Sequence, residues 1–209
     1  MKRIFSNNLN IIILAILFGA LGGGVASSNL FIEKTKSNQD LIKEFYEVEN
    51  AVYVSPHHIR KHIEQGDKDF ILIDLRSQQE YETAHIIGAL NVPVYVSPDK
   101  SAYEDIDRIV NEFRKIQEEY INKTIIVYCY SAPCMSGRKI GKMLTEHDIY
   151  VKHLGIGWQE WRYYWNLWNH DGETPVNPAN YIKNGSEPGV FHISREDISG
   201  CVLGGDFGC

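Results

Sequence analysis

The chain has 209 residues, enough for one ordinary domain with extensions, and its 44% hydrophobic content supports a real core. A net charge of −6 argues against a nucleic-acid binder, which needs a basic face. The four cysteines, Cys129, Cys134, Cys201 and Cys209, are too few for a disulfide-built scaffold and fall in two pairs.

Lys2 and Arg3 precede a stretch from Leu9 to Ile32 that carries no charge. A bilayer core takes about 20 apolar residues as a helix, and this stretch supplies them. The alternative is a secretory signal cleaved after Gly24-Val25-Ala26. Leu30-Phe31-Ile32 prolong the apolar run past that site, which favours a retained transmembrane anchor over residues 1–32. Lys34, Lys36 and Lys43 beyond the span weaken the charge asymmetry that sets orientation. The short basic start resembles an export signal. The expectation is a single-pass, membrane-anchored protein with its domain extracytoplasmic, or secreted if the N-terminus is cleaved. Residues 33–52 then form a linker: Ser37 to Asp40 caps a helix whose apolar face is Leu41, Ile42, Phe45, Tyr46 and Val48.

The domain is predicted over residues 53–172. Tyr53-Val54 is a short strand, and Ser55-Pro56 opens a helix that Gly66 ends. Phe70 to Asp74 and Thr124 to Tyr128 are continuous apolar runs, the mark of strands covered on both faces. Gln78 to Thr83 is a short helix. Ser101 to Tyr120 is a long amphipathic one, with Tyr103, Ile106, Ile109, Val110, Phe113 and Ile116 on one side. Gly137 to Thr145 is a helix, Tyr150 to Leu154 a strand, and Trp158 to Trp168 a closing helix whose tryptophans pack rather than form a ligand cage. Strands alternating with helices predict an α/β fold, a mostly parallel sheet with helices on both faces. Sites in such sheets lie beyond the carboxyl ends of the strands, where Cys129 stands.

Several separated pieces then resemble one family, the rhodanese-like domain. Asp74-Leu-Arg76-Ser-Gln-Gln-Glu80-Tyr81 resembles its D-x-R-x-x-x-E-[YF]. His85-Ile-Ile-Gly88-Ala89-Leu-Asn91-Val-Pro93 resembles its G-H-I-x-G-A-x-N-[IV]-P. Val127-Tyr128-Cys129 is similar to the strand that delivers its cysteine, and Leu154-Gly-Ile-Gly157-Trp-Gln-Glu-Trp161 to its closing L-x-G-G-x-x-x-W. The resemblance implies a rhodanese-like fold and sulfur transfer through a persulfide on Cys129, from a thiosulfate- or persulfide-type donor to a thiol acceptor, with no cofactor and no metal. Asp74, Arg76, Glu80 and His85 read as a structural network.

The loop departs from the common C-x-x-G-x-R-S form. Cys134 occupies the position of the arginine, and Arg138 lies nine positions after Cys129. A variant form, C-x-G-P-x-C followed by serine, resembles Cys129-Tyr-Ser-Ala-Pro133-Cys134-Met-Ser136. The amides at the start of the following helix are expected to lower the Cys129 pKa and to hold an anion. Tyr130, Ser131, Met135, Ser136, Gly137 and Arg138 are the expected substrate-binding residues. Cys134 resolves a persulfide or sulfenate on Cys129 as a disulfide, carries the sulfur itself, or is passive. A phosphatase or arsenate reductase loop, C-x5-R, does not fit either cysteine. A thiol–disulfide oxidoreductase using Cys129 and Cys134 and a non-catalytic binding module are the alternatives. Residues 173–209 read as an irregular tail in which Cys201 and Cys209 form a small disulfide, relay sulfur, bind metal or are incidental.

Overall fold

A computed structural model describes residues 11–19, 36–67, 69–95, 100–169 and 177–191. The chain divides into two units, Met1–Tyr46 and Glu47–Cys209. In the first, residues 11–19 are helical (α1). Among the described residues no helix is long and apolar enough to cross a membrane. The remainder of the span predicted from the sequence lies outside the described residues, as do Cys201 and Cys209. Helix α2 runs from Asn38 to Val52, and none of its residues is buried. Its predicted cap is present. The Ser37 hydroxyl accepts the Asp40 N–H at 3.2 Å, and the Asp40 carboxylate accepts the Ser37 N–H at 3.0 Å and hydroxyl at 2.7 Å.

The second unit is built on β1 (Tyr53–Val54), α3 (Pro56–Gln65), β2 (Phe70–Asp74), α4 (Gln78–Thr83), β3 (His85–Ile86), β4 (Leu90–Asn91), α5 (Ile106–Glu119), β5 (Thr124–Tyr128), α6 (Ser136–Thr145), β6 (Lys152–Leu154), α7 (Trp158–Tyr163) and β7 (Ile182–Lys183). A parallel sheet runs in the order β1-β6-β5-β2-β4, so β5 is its centre. Side chains alternate along its buried strands. Ile126 and Tyr128 of β5 join Leu72, Trp158 and Trp161 on one face. Ile125 and Val127 join Ile73, Ile109, Phe113, Ile140 and Leu144 on the other. That two-faced burial is the reason Phe70–Ile73 and Ile125–Tyr128 form apolar runs.

Three element boundaries differ from the sequence reading. The long helix is interrupted: Ser101 caps a 3-10 turn, Ala102–Glu104, through the Tyr103 N–H, and Asp105 (φ −130°) leaves helical geometry before α5 begins. Tyr103, predicted on the inner face, is therefore exposed. The closing helix breaks at Tyr164 into α7 and a 3-10 turn, Trp165–Leu167. This bend stacks Trp168 back on Trp161, with centroids 5.4 Å apart. Strand β6 starts two residues late because Tyr150 faces solvent.

The segment read as irregular from Tyr181 onward is also partly regular. Tyr181 is only 2% exposed and joins the tryptophan cluster. Its carbonyl accepts the Ile87 N–H at 3.1 Å and the Trp161 indole N–H at 3.3 Å, and β7 pairs antiparallel with β3. Ile182 and Phe191 pack against the same core.

Two histidines make stability depend on pH. His85 is fully buried beneath Tyr81, and His153 is buried in β6 with Nδ1 on the Leu154 carbonyl at 2.6 Å. Burial holds both below the ordinary value of 6.5, although neighbouring carbonyls pull the other way. The fold thus prefers the neutral rings, while the unfolded chain takes up protons from 6.5 downward. Stability is full above that value and is lost as pH falls through it toward the folded pKa. A urea midpoint that drops between pH 7.5 and 5.5, about one unit either side of the free-histidine value, is expected. A flat midpoint excludes the effect.

Candidate active site

The site grows from the ends of β2 and β5. Their register places Asp74 beside Tyr128, the last residue before Cys129. The Tyr128 hydroxyl donates to the Asp74 carboxylate at 2.6 Å and accepts the Ile86 N–H at 3.2 Å. The Arg76 guanidinium donates to the same carboxylate at 2.6 to 3.1 Å and to the Ala84 carbonyl at 2.8 Å. It also lies over the Trp158 ring, 4.4 Å from its centroid. Asp74 and Arg76 are 0% and 3% exposed, so this is a buried, charge-assisted pair. The network predicted from the sequence is present for these two residues. Glu80 acts elsewhere. It closes a capping box with Ser77 and accepts the Tyr130 hydroxyl at 2.5 Å. His85 stays in the framework, with Nδ1 on the Tyr81 carbonyl at 2.8 Å.

The loop from Cys129 to Met135 is held from below by α7. The Trp158 and Gln159 amides donate to the Cys129 and Tyr130 carbonyls, both at 2.8 Å. The Glu160 carboxylate accepts the Ala132 N–H at 3.2 and 3.3 Å and the Gly157 N–H at 2.9 Å. Arg138 holds it from above. Its Nη1 donates to the Cys134 carbonyl at 3.1 Å and the Ala132 carbonyl at 3.2 Å, and its Nε donates to the Tyr53 hydroxyl at 2.7 Å. The Arg138 guanidinium, expected from the sequence at the substrate, is engaged in bracing the loop. Gly137, predicted at the substrate, is buried, and a Cβ there would stand 2.2 Å from His153 Nε2, so its bareness lets α6 seat on β6. Tyr130 and Met135 form exposed rims, and Ser136 places its hydroxyl 3.4 Å from that of Tyr95.

The two thiols meet. Cys134 Sγ lies 2.9 Å from Cys129 Sγ, and the Cys134 N–H donates to the Ser131 carbonyl at 3.0 Å, folding the loop back over Cys129. Cys129 is only 1% exposed, and Cys134 is half-buried. Burial, reinforced by the adjacent Cys134 sulfur, pushes the Cys129 thiol up to about 12. The Tyr130 amide and the Ser136 hydroxyl oppose this without overcoming it. This reverses the expectation that the loop lowers the Cys129 pKa. Burial would raise Cys134 as well, but the Cys129 thiol, the Ser136 hydroxyl and amide, and the Tyr130 amide together hold it below the ordinary 9.0. The arrangement favours a thiolate on the outer cysteine over one on the inner.

The sequence model of the Rhodanese-like domain matches residues 55–163, over half of the chain. The chain belongs to the rhodanese-like family. Within the match lie β2, the cysteine loop and α7. The HTH-type transcriptional regulator Rv0324 of Mycobacterium tuberculosis is 30% identical over 91 residues, which are 44% of this chain and 34% of that protein. The chain thus spans about a third of that relative's length. Among solved structures, the BH2092 protein of Bacillus halodurans is 17% identical, with a TM-score of 0.46 over 76% of this chain and 96% of that one. The human single-domain sulfurtransferase TSTD1 is 19% identical, with a TM-score of 0.38 over 52% and 93%.

Within this rhodanese-like domain, Glu160, Gly157, Tyr53 and the Tyr128 hydroxyl escaped the sequence reading as parts of the site. A signal existed for one pair: glutamate three residues after Gly157 is a capping spacing. Gly157 also permits a close backbone approach to the loop. A Cβ there would lie 2.2 Å from Ser131 N, 2.3 Å from Ser131 Cα and 2.5 Å from Tyr130 C. Gly157→Ala is expected to lift the loop from α7, at a cost of about 1–3 kcal/mol, and to slow sulfur uptake by Cys129. Urea denaturation and mass-resolved uptake kinetics check this, and a variant unchanged in both would show that the loop is not seated there.

Among the described residues no group of three His, Cys, Asp or Glu side chains converges as a metal site.

Proposed function

We propose that the protein is a sulfurtransferase in which Cys129 takes a sulfane sulfur from a thiosulfate- or persulfide-type donor and passes it to a thiol acceptor. The observation that carries the reading is the dyad at the carboxyl end of β5, a buried thiol 2.9 Å from a sulfur that favours the thiolate. A neighbouring base activates a weak nucleophile. The Cys129 proton passes to Cys134 as the Cys129 sulfur attacks the outer sulfur of the donor. The donor's remaining fragment leaves as a sulfite or thiolate anion, and Cys129 holds the persulfide. Tyr130, Ser131, Met135 and Ser136 line the approach.

The test uses the full chain with Cys134→Ser, in which no competing thiolate stands beside Cys129. Treatment with a small-molecule persulfide is expected to add one sulfur, about 32 Da, to the tryptic peptide from Thr124 to Arg138, and added thiol to remove it. No gain in mass in this variant, together with no transfer of sulfur from donor to added thiol by wild type, overturns the proposal.

The contact between the sulfurs also favours a second reading, a thiol–disulfide oxidoreductase. It is expected to lose about 2 Da from the same wild-type peptide with disulfide substrates and never to gain sulfur.

For location, we propose a single-pass anchor with the domain outside the cytoplasm, supported by the uncharged run from Leu9 to Ile32. An impermeant thiol reagent that labels Cys134 only after lysis would overturn it.

A further inference from the structure

The loop is built for a second step after persulfide formation. Cys134 stands in the position that carries an arginine in the common loop form, and the nearest arginine, Arg138, is committed to Tyr53 and to the loop carbonyls. The turn closed by the Cys134 amide on the Ser131 carbonyl points the Cys134 sulfur at the sulfur of Cys129. That sulfur becomes the inner sulfur of a Cys129 persulfide. At 2.9 Å the two are at reaction distance, and under about 1 Å of closure brings them to the disulfide length of about 2.05 Å. The Ala132 amide is directed at Glu160, so it is withdrawn from the stabilisation of an outer sulfur anion. Two carboxylates, Glu80 on the Tyr130 hydroxyl and Glu160 on Ala132, brace the loop on which that anion would form. These features shorten the life of a persulfide and present its inner sulfur to a thiol.

We propose that Cys134 resolves the Cys129 persulfide: its sulfur attacks Cys129 Sγ, expels the outer sulfur as hydrosulfide and leaves a Cys129–Cys134 disulfide. The proposal rests on the sulfurtransferase reading and adds an activity to it, the two-electron reduction of sulfane sulfur to sulfide. The bond between Cys129 Sγ and the outer sulfur breaks, and the bond between the two cysteine sulfurs forms. The outer sulfur goes from the sulfane level to sulfide, the two cysteine sulfurs supply both electrons, and the Cys134 proton leaves on the hydrosulfide. No external oxidant enters. A dithiol reductant restores the pair by exchange and is itself oxidised to a disulfide. When a thiol acceptor reaches the outer sulfur first, transfer occurs. When none does, sulfide is released.

The experiment takes reduced full-length protein, freed of reductant, and glutathione persulfide as the probe, with the spontaneous sulfide from probe alone subtracted. The tryptic peptide from Thr124 to Arg138 contains both loop cysteines and excludes Cys201 and Cys209. Wild type is expected to release about one equivalent of sulfide per chain, at least ~10-fold more than Cys134→Ser, while its peptide loses about 2 Da. Cys134→Ser is expected to hold the added sulfur, and Cys134→Ala to behave alike. If wild type keeps the extra sulfur and releases no sulfide, resolution by Cys134 is wrong and the transfer reading stands. If neither variant gains sulfur and wild type releases no sulfide, the transfer reading fails and this proposal with it. A Cys134→Ser peptide that carries a glutathionyl group, about 305 Da, instead of one sulfur overturns both in favour of plain thiol–disulfide exchange.

Discussion

Cys129→Ser is expected to abolish sulfur uptake at the loop and to lower the rate of sulfur transfer by roughly 10³-fold or more, as loss of a covalent nucleophile does. The hydroxyl is nearly the size of the thiol, so the packing around a position that is 1% exposed survives. Its proton is far less acidic than the one it replaces, and oxygen forms no persulfide. The Ser136 and Tyr130 groups that act on Cys129 remain in place for the hydroxyl, which keeps the new polar atom from being stranded. The variant is therefore expected to unfold within about 1 kcal/mol of wild type while losing its chemistry. The readouts are single-turnover mass analysis of the loop peptide and a urea melt. Retained uptake by Cys129→Ser would identify the more exposed Cys134 as the first acceptor and would reverse the order of the two sulfurs. Loss of uptake together with loss of folding would call for Cys129→Ala before the role is assigned.

Asp74→Ala is expected to destabilise the domain by about 3–5 kcal/mol, the usual result of stranding one partner of a buried pair. Arg76, 3% exposed, would lose three guanidinium contacts and one backbone N–H bond to the carboxylate, and the Tyr128 hydroxyl would lose its acceptor. Both groups are too deep for water to replace what they lose. The surface network of Arg108 with Asp105 and Glu112 gives the contrast. Its side chains are about one-third exposed, and removing Glu112 is expected to cost no more than about 0.5 kcal/mol. Asp74→Asn keeps the volume and one acceptor oxygen and is expected to fall between the two. Because Tyr128 immediately precedes Cys129, the Asp74→Ala variant is also expected to expose the thiols, read as faster alkylation. A denaturation midpoint near wild type would show that the pair contributes little.

The particular residues explain what was legible beforehand. Phe70–Asp74 and Thr124–Tyr128 were readable as strands because both faces of each are covered, which leaves only Asp74 and Thr124 polar in the two runs. The Ser37 cap was legible because both partners lie within one turn, and the Ser77 capping box, which has the same spacing, went unread. Asp74 and Arg76 were recognised through motif order, and the structure pairs them two residues apart.

Other features depend on residues distant in the chain. The break at Tyr164 was hidden because tryptophans at helical spacing suit one long helix until Trp168 finds a better surface on Trp161. Tyr181 looks like a loop residue among asparagines and glycines, yet its ring completes a core contributed by residues more than a hundred positions earlier, including Ile59 and Leu72. Glu160 reaches the Ala132 amide across 28 positions.

Local periodicity and short motifs were enough for the alternation of strands and helices, for the family and for the position of Cys129 at a strand end. Which cysteine favours the thiolate was settled only in three dimensions. That preference comes from burial of one sulfur beneath the other and from the Ser136 and Tyr130 groups that converge on them. These electrostatic and desolvation energies depend on distances in space, and spacing along the chain does not encode them.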